Sequence, residues 1–265
     1  MPTRETVLLN VENLAKRFGG IMALDGYNVR IRAGELVGLI GPNGAGKTTV
    51  FNLLSGVLTP TRGRIYFNGR DTTRLRPDEN TALGIARTFQ NIRLFKELSV
   101  IDNIKIAFHM RLGKGFWPTL FHTPAYRRTE IEIERRADEF LELFGLTLIK
   151  DTVAKNLPYG LQRRVEIARA MATLPRLLLL DEPSAGLNPS ETDELQEILL
   201  KIHQAYELTI FLVEHDMKLI MNICQKIQVI DRGRMLSFGR PADVRRDQQV
   251  IDAYLGQSAR EDRHA

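Results

Sequence analysis

The 265-residue chain has one cysteine, Cys224, and one tryptophan, Trp117. A single cysteine excludes an intrachain disulfide and any C-x-x-C metal pair. Its apolar setting beside Ile223 points to a packing thiol rather than a reactive one. No apolar run approaches the about 18 residues that a membrane-spanning helix needs. The opening Met1-Pro2-Thr3-Arg4-Glu5 lacks the apolar core of a secretory leader. The chain is therefore expected in the cytosol, touching a membrane only from its surface. The excess of one charge sign is also small: 37 basic and 32 acidic residues leave +5. That balance suits a polyphosphate ligand or an anionic surface without requiring either. No nucleic-acid-binding module accompanies it, so nucleic acid is not an expected partner. There is no internal repeat.

What is present is ordinary globular composition, 43% hydrophobic and 26% charged, in a length that allows one large α/β domain or two small ones. The most informative stretch is Gly41-Pro42-Asn43-Gly44-Ala45-Gly46-Lys47-Thr48-Thr49. It follows an apolar run, residues 35–40, that reads as a buried strand, and precedes Val50 to Leu54, the start of a helix. That context makes G-x-x-x-x-G-K-[ST] a phosphate site rather than a common Gly-rich turn. The glycines let backbone N–H groups converge, and the helix N-terminus adds partial positive charge. Lys47 can reach the outer phosphates, and the Thr48 hydroxyl can ligate Mg²⁺.

Around this site the pattern is mixed. Residues 7–14 and 24–32 alternate as strands, with Lys16-Arg17-Phe18-Gly19-Gly20 expected as a turn between them. Phe18 either folds back into the core or presents its face to a purine. Arg64 to Phe67 and Ile85 to Phe89 read as strands, with Pro77 opening a short helix. From 95 to 165 helices replace the alternation. Ser99 caps one, and Ile133, Ala137, Phe140, Leu141 and Phe144 mark the apolar face of another. The aromatic stretch 116–121 between them either packs beneath these helices or forms an exposed patch. Beyond, Leu177–Leu180 reads as a strand buried on both faces, Asn188 caps a helix from Pro189, and 208–213 and 227–230 read as strands flanking a helix over 216–224. The polar last ten residues, from Gly256, are expected to fray.

Asp181 and Glu182 end the 177–180 strand, where ligands sit in open α/β sheets. Acids can also simply close a strand as solvated caps. Beside a phosphate loop they have separable jobs: Asp181 can hold Mg²⁺, and Glu182 can orient or deprotonate an attacking water.

Over nearly its whole length the chain resembles the ABC-transporter nucleotide-binding subunits. The resemblance implies an α/β P-loop cassette: a mixed, mostly parallel RecA-like core, an antiparallel β-subdomain, and an inserted helical subdomain. It places the core in residues 1–94 and 166–265 and the helical part in 95–165 of one domain. It implies ATP and Mg²⁺ as ligands. Phe18 matches the adenine-stacking aromatic, Gly41 to Thr49 the Walker A loop, and Gln90 the loop that joins metal and water to the permease. Asp181 and Glu182 match Walker B, with Glu182 as general base; Ala185 to Asn188 match the D-loop and His215 the γ-phosphate contact. Metal ligation would fall to Thr48, Gln90 and Asp181. The signature that completes the opposite subunit's site corresponds to Leu157, Pro158, Tyr159, Gly160 and Leu161. Here Pro158 and Leu161 depart from the family's serine and glutamine, and Asn188 replaces an aspartate.

Within the family the chain is similar to the first of two ATPases in branched-chain amino-acid importers. Phe18-Gly19-Gly20, Arg87-Thr88-Phe89-Gln90, Tyr159-Gly160, Glu214-His215-Asp216-Met217 and Ala253-Tyr254-Leu255-Gly256 carry that similarity. It implies a second, different ATPase subunit, two membrane permeases and an external substrate-binding protein, at the cytoplasmic face of the cell membrane. Lipopolysaccharide exporters, urea or short-amide importers, and soluble two-cassette ATPases are the alternatives.

Overall fold

The computed structural model describes residues 6–112 and 124–261; the aromatic stretch 116–121 lies outside them. Two sheets divide the strands. The first is antiparallel, in the order β2-β1-β4-β5, from β1 (Val7–Phe18), β2 (Ile21–Arg32), β4 (Arg62–Phe67) and β5 (Arg70–Asp71). Lys16 to Phe18, expected as part of a turn, continue β1 instead. Only Gly19-Gly20 turns, because the register Lys16↔Leu24 to Phe18↔Ile21 keeps these residues paired.

The second sheet runs β10-β9-β3-β8-β7-β6. Its five strands β3 (Leu36–Ile40), β6 (Ile85–Arg87), β7 (Leu177–Asp181), β8 (Thr209–Val213) and β9 (Lys226–Asp231) are parallel, and β10 (Arg234–Gly239) is antiparallel to β9. Every residue of β3, β7 and β8 is buried, as their unbroken apolar runs require of strands covered on both faces. One side packs on α1 (Lys47–Leu54) and the antiparallel sheet, where Phe51 meets Phe211 at 5.3 Å between ring centroids. The other side is the larger core, built on α6 (Pro189–Ala205), α7 (Met217–Ile223) and the helices of the insertion.

Those helices are α3 (Val100–Leu112), α4 (Pro124–Leu143) and α5 (Tyr159–Ala172), with α2 (Pro77–Leu83) preceding them. Ile133, Ala137, Phe140, Leu141 and Phe144 are all buried, on the predicted face of α4 and just beyond it. Phe140 joins the group edge-on to Phe108 at 5.1 Å. The Ser99 hydroxyl accepts the Asp102 N–H at 3.2 Å, and Asn188 forms a reciprocal cap with Glu191 at 3.0 and 2.9 Å. Helix α5 runs unbroken across residue 165, the edge assigned from sequence to the helical part.

The chain ends in α8 (Pro241–Val244) and α9 (Gln248–Glu261). Helix α9 carries on through Gly256 to Glu261, where fraying was expected. After Gly256 the residues are polar, but Gln, Ala, Arg and Glu are good helix formers, and polarity does not end a helix.

Candidate functional site

Four parallel strands deliver the predicted residues to one edge of the sheet. The phosphate loop leaves β3, Gln90 lies just past β6, Asp181-Glu182 close β7, and His215 follows β8. Neighbouring strands β3, β8, β7 and β6 thus bring together groups far apart in sequence.

In the loop, Asn43 and Gly44 are exposed, Pro42 and Ala45 are buried, and the Thr48 side chain faces solvent beside half-buried Thr49. Gly41 has φ 156°, and a Cβ there would stand 2.1 Å from the Ile230 carbonyl oxygen, so no other residue fits. The Lys47 ammonium is buried and donates to the carbonyl oxygens of Gly41 at 2.6 Å and Pro42 at 3.0 Å. Burial lowers its pKa, while the fields of Glu182 and Asp181 oppose the shift. A buried cation hydrogen-bonded only to carbonyls is suited to receive an anion.

Glu182 sits opposite. Its backbone is left-handed (φ 47°), a conformation rare outside glycine, and its N–H donates to the Val213 carbonyl oxygen at 2.9 Å. The carboxylate is held from two sides: Gln90 Nε2 donates to Oε2 at 2.9 Å, and His215 Nε2 lies 3.0 Å from Oε1. Gln90, Glu182 and His215 therefore form one hydrogen-bonded trio. Buried Asp181 pairs through Oδ2 with Arg87 at 2.8 Å. Burial lowers the Arg87 pKa and the bond to Asp181 counters it.

Asp181, Gln90 and Thr48 offer carboxylate, amide and hydroxyl oxygens, the hard donors that Mg²⁺ prefers. Among the described residues no group of three or more His, Cys, Asp or Glu could hold a metal alone.

Phe18 ends β1 with 45% of its surface exposed, and Lys16 Nζ stands 5.2 Å from its ring centroid. The aromatic face is therefore outside the core. The signature segment opens α5: Pro158 occupies the N-cap position without a side-chain cap, Leu157 and Gly160 are buried, Leu161 is half-buried, and Tyr159 is 43% exposed. The first-turn N–H groups of α5 thus have no side chain of their own. The segment does not join the trio within this chain.

Several residues here were given no role from sequence. Arg87 fixes Asp181 while also donating to Asn52 and Ser55, each at 2.8 Å. Buried Glu214 accepts the backbone N–H groups of Ser184 at 2.7 Å and His215 at 3.1 Å, joining the residue just before Ala185 to the histidine. Burial raises its pKa, with those N–H bonds pulling the other way. Arg163 and Glu166 form a second buried ion pair, on α5. The available signal was a charge inside an apolar run (Ile85-Ala86-Arg87) or on the buried face of a helix.

Residues 24–185 match the ABC transporter family, and residues 234–260 match the branched-chain amino acid ATP-binding cassette transporter family. The second match covers β10, α8 and most of α9. The chain is 46% identical over 251 residues to the high-affinity branched-chain amino acid transport ATP-binding protein BraF of Pseudomonas aeruginosa, covering 95% of this chain and 98% of that one. It is 47% identical to the corresponding LivG protein of Salmonella typhimurium over the same shares. The crystal structure of an ATP-binding cassette of an ABC transporter in its ADP conformation superimposes with a TM-score of 0.82, at 32% identity, over 95% of this chain and 99% of that one. With the phosphate loop, the two carboxylates, the glutamine and the histidine gathered at one sheet edge, the chain belongs to the ABC transporter family.

Proposed function

We propose that the chain is the ATP-hydrolysing subunit of an importer for branched-chain amino acids, docked on the cytoplasmic face of the cell membrane. The observation that carries the reaction is the trio Gln90–Glu182–His215 facing a buried lysine that has no carboxylate within hydrogen-bonding reach. The cargo rests on the two relatives and on the 234–260 match.

ATP binds with its outer phosphates against Lys47 and the N–H groups of residues 41–49, and its adenine on the free face of Phe18. Thr48, Asp181 and Gln90 would hold Mg²⁺, which when bound neutralises charge between the phosphates. Glu182 takes the proton of the water that attacks the γ-phosphorus, and His215 contacts the γ-phosphate. Each carboxylate oxygen of Glu182 has one such partner and keeps a further lone pair, so Gln90 and His215 orient the carboxylate while leaving it able to accept from water. Residues 95–165 act as the helical part that carries Leu157 to Leu161 to the opposite subunit, a second and different ATPase. With Pro158 in place of serine, that contact falls to the uncapped N–H groups of the first turn of α5. Asn188, in the D-loop position, offers an amide where a carboxylate is usual. Two permeases and an external binding protein complete the assembly. The groove of about 270 Å³ next to the glutamine loop, where Phe95, Ala107 and Met110 are joined by Arg87, Glu166 and Arg169, is where the permease engages.

Glu182→Gln tests the chemistry. Turnover should fall by about 10²–10⁴-fold while Mg·ATP binding persists, read as phosphate release beside nucleotide titration. Near-normal turnover would remove Glu182 from the role.

A further inference from the structure

Arg163 is the largest fully buried side chain among the described residues, yet nothing in the reaction above uses it. It stands one turn beyond the signature segment. Its Nη1 donates to the Phe89 carbonyl oxygen at 2.8 Å and to Glu166 Oε2 at 2.7 Å. Its Nη2 donates to the Gln90 carbonyl oxygen at 2.9 Å and to the Tyr159 hydroxyl at 3.2 Å. Glu166 in turn accepts the Arg93 N–H through Oε1 at 3.0 Å. The pair therefore grips the glutamine loop on both sides of Gln90. Among the described residues no other hydrogen bond holds the main chain of 89–94.

The same guanidinium reaches the signature through Tyr159, whose ring lies against Gly186 of the D-loop. One buried ion pair thus touches three segments: the loop that holds Glu182, the segment offered to the opposite subunit, and, through Tyr159, the D-loop. A buried ion pair is a poor way to gain stability, since apolar side chains of similar volume commonly serve as well. A planar fork with fixed donor directions is instead a good way to fix geometry. Helix α5 is rigid over one turn, so a shift at Tyr159 and Gly160 moves the Arg163 fork and the carbonyl groups bonded to it.

We propose that Arg163 and Glu166 are positioning residues that tie the setting of Gln90, and through it Glu182, to the seating of the signature helix. Docking of the partner's nucleotide on the first turn of α5 then adjusts this chain's own general base, so that the two ATP sites are coupled through this pair. The inference rests on the two-subunit reading given above.

The test uses the assembled transporter copurified through the tagged chain, with ATP hydrolysis followed against Mg·ATP concentration. The paired variant Arg163→Met/Glu166→Gln removes both charges and leaves Arg93 an acceptor. It should still fold as the unassembled chain, and in the assembled transporter lose cooperativity and fall about fivefold or more in kcat. Wild-type cooperativity and kcat in that variant would overturn the proposal. If the paired variant does not fold, Arg163→Lys decides, because it keeps a charge facing Glu166 but lacks the planar fork whose two nitrogens fix the donor directions toward Phe89 and Gln90. Lost cooperativity supports the coupling; wild-type cooperativity overturns it. An assembled wild type that hydrolyses no ATP would instead sink the ATPase reading, and this inference with it.

Discussion

Lys47, Glu182 and Asp181 illustrate what single positions reveal. Their chemistry is written into a local stretch, because a strand, a tight turn and a helix start fix the geometry wherever they occur. Arg87, Glu214, Arg163 and Glu166 could not be assigned that way. Arg163 meets Phe89 across 74 residues and Arg87 meets Asp181 across 94, so their partners exist only after folding. Arg87→Met should lower stability by about 3–5 kcal/mol, since it leaves the buried Asp181 carboxylate unpaired; chemical denaturation measures it. Glu214 gives a pH-dependent outcome. Burial raises its folded pKa above the ordinary 4.5, so the stability it contributes is complete below the unfolded value and is lost as pH rises through the folded one. Relative to Glu214→Gln, the wild type should therefore lose stability as pH climbs from 4.5 through that raised value. A difference that stays flat with pH would contradict this. Burial also pushes the Cys224 thiol well up, and the side chain is only 6% exposed. Thiol reagents should leave it unmodified until the chain unfolds.

At the scale of elements, periodicity and caps located most of the framework. The buried runs of β3, β7 and β8 and the apolar face of α4 needed nothing beyond the spacing of their residues. Asn188→Ala removes the reciprocal cap of α6 and should cost about 1 kcal/mol. Phe140→Ala should cost about 3–5 kcal/mol, because its ring holds α4 against α3 and Tyr206. The C-terminal elements β10, α8 and α9 were not legible in the same way. The turn Arg232-Gly233 between β9 and β10 was a usable hairpin signal, but the strand alternates weakly and its burial is partial. What makes it a strand is pairing with β9, a tertiary fact. The extension of β1 through Phe18 has the same origin, since β2 supplies the partner.

For the whole molecule, the sheet order explains why the motifs work together: only adjacency of β3, β8, β7 and β6 puts Lys47, His215, Glu182 and Gln90 at one edge. The signature segment does not join them, which is why the proposed function needs a second subunit. Pro158→Ser in the assembled transporter should change the rate at the partner's site rather than this chain's own; an unchanged rate would make the departure neutral. The most direct measurement is capture of the tagged Glu182→Gln chain from detergent-solubilised native membranes with Mg·ATP, the bound proteins identified by mass spectrometry. The account predicts two different permeases and a second, distinct ATPase. Copies of the chain alone, or exporter-type membrane proteins, would contradict it.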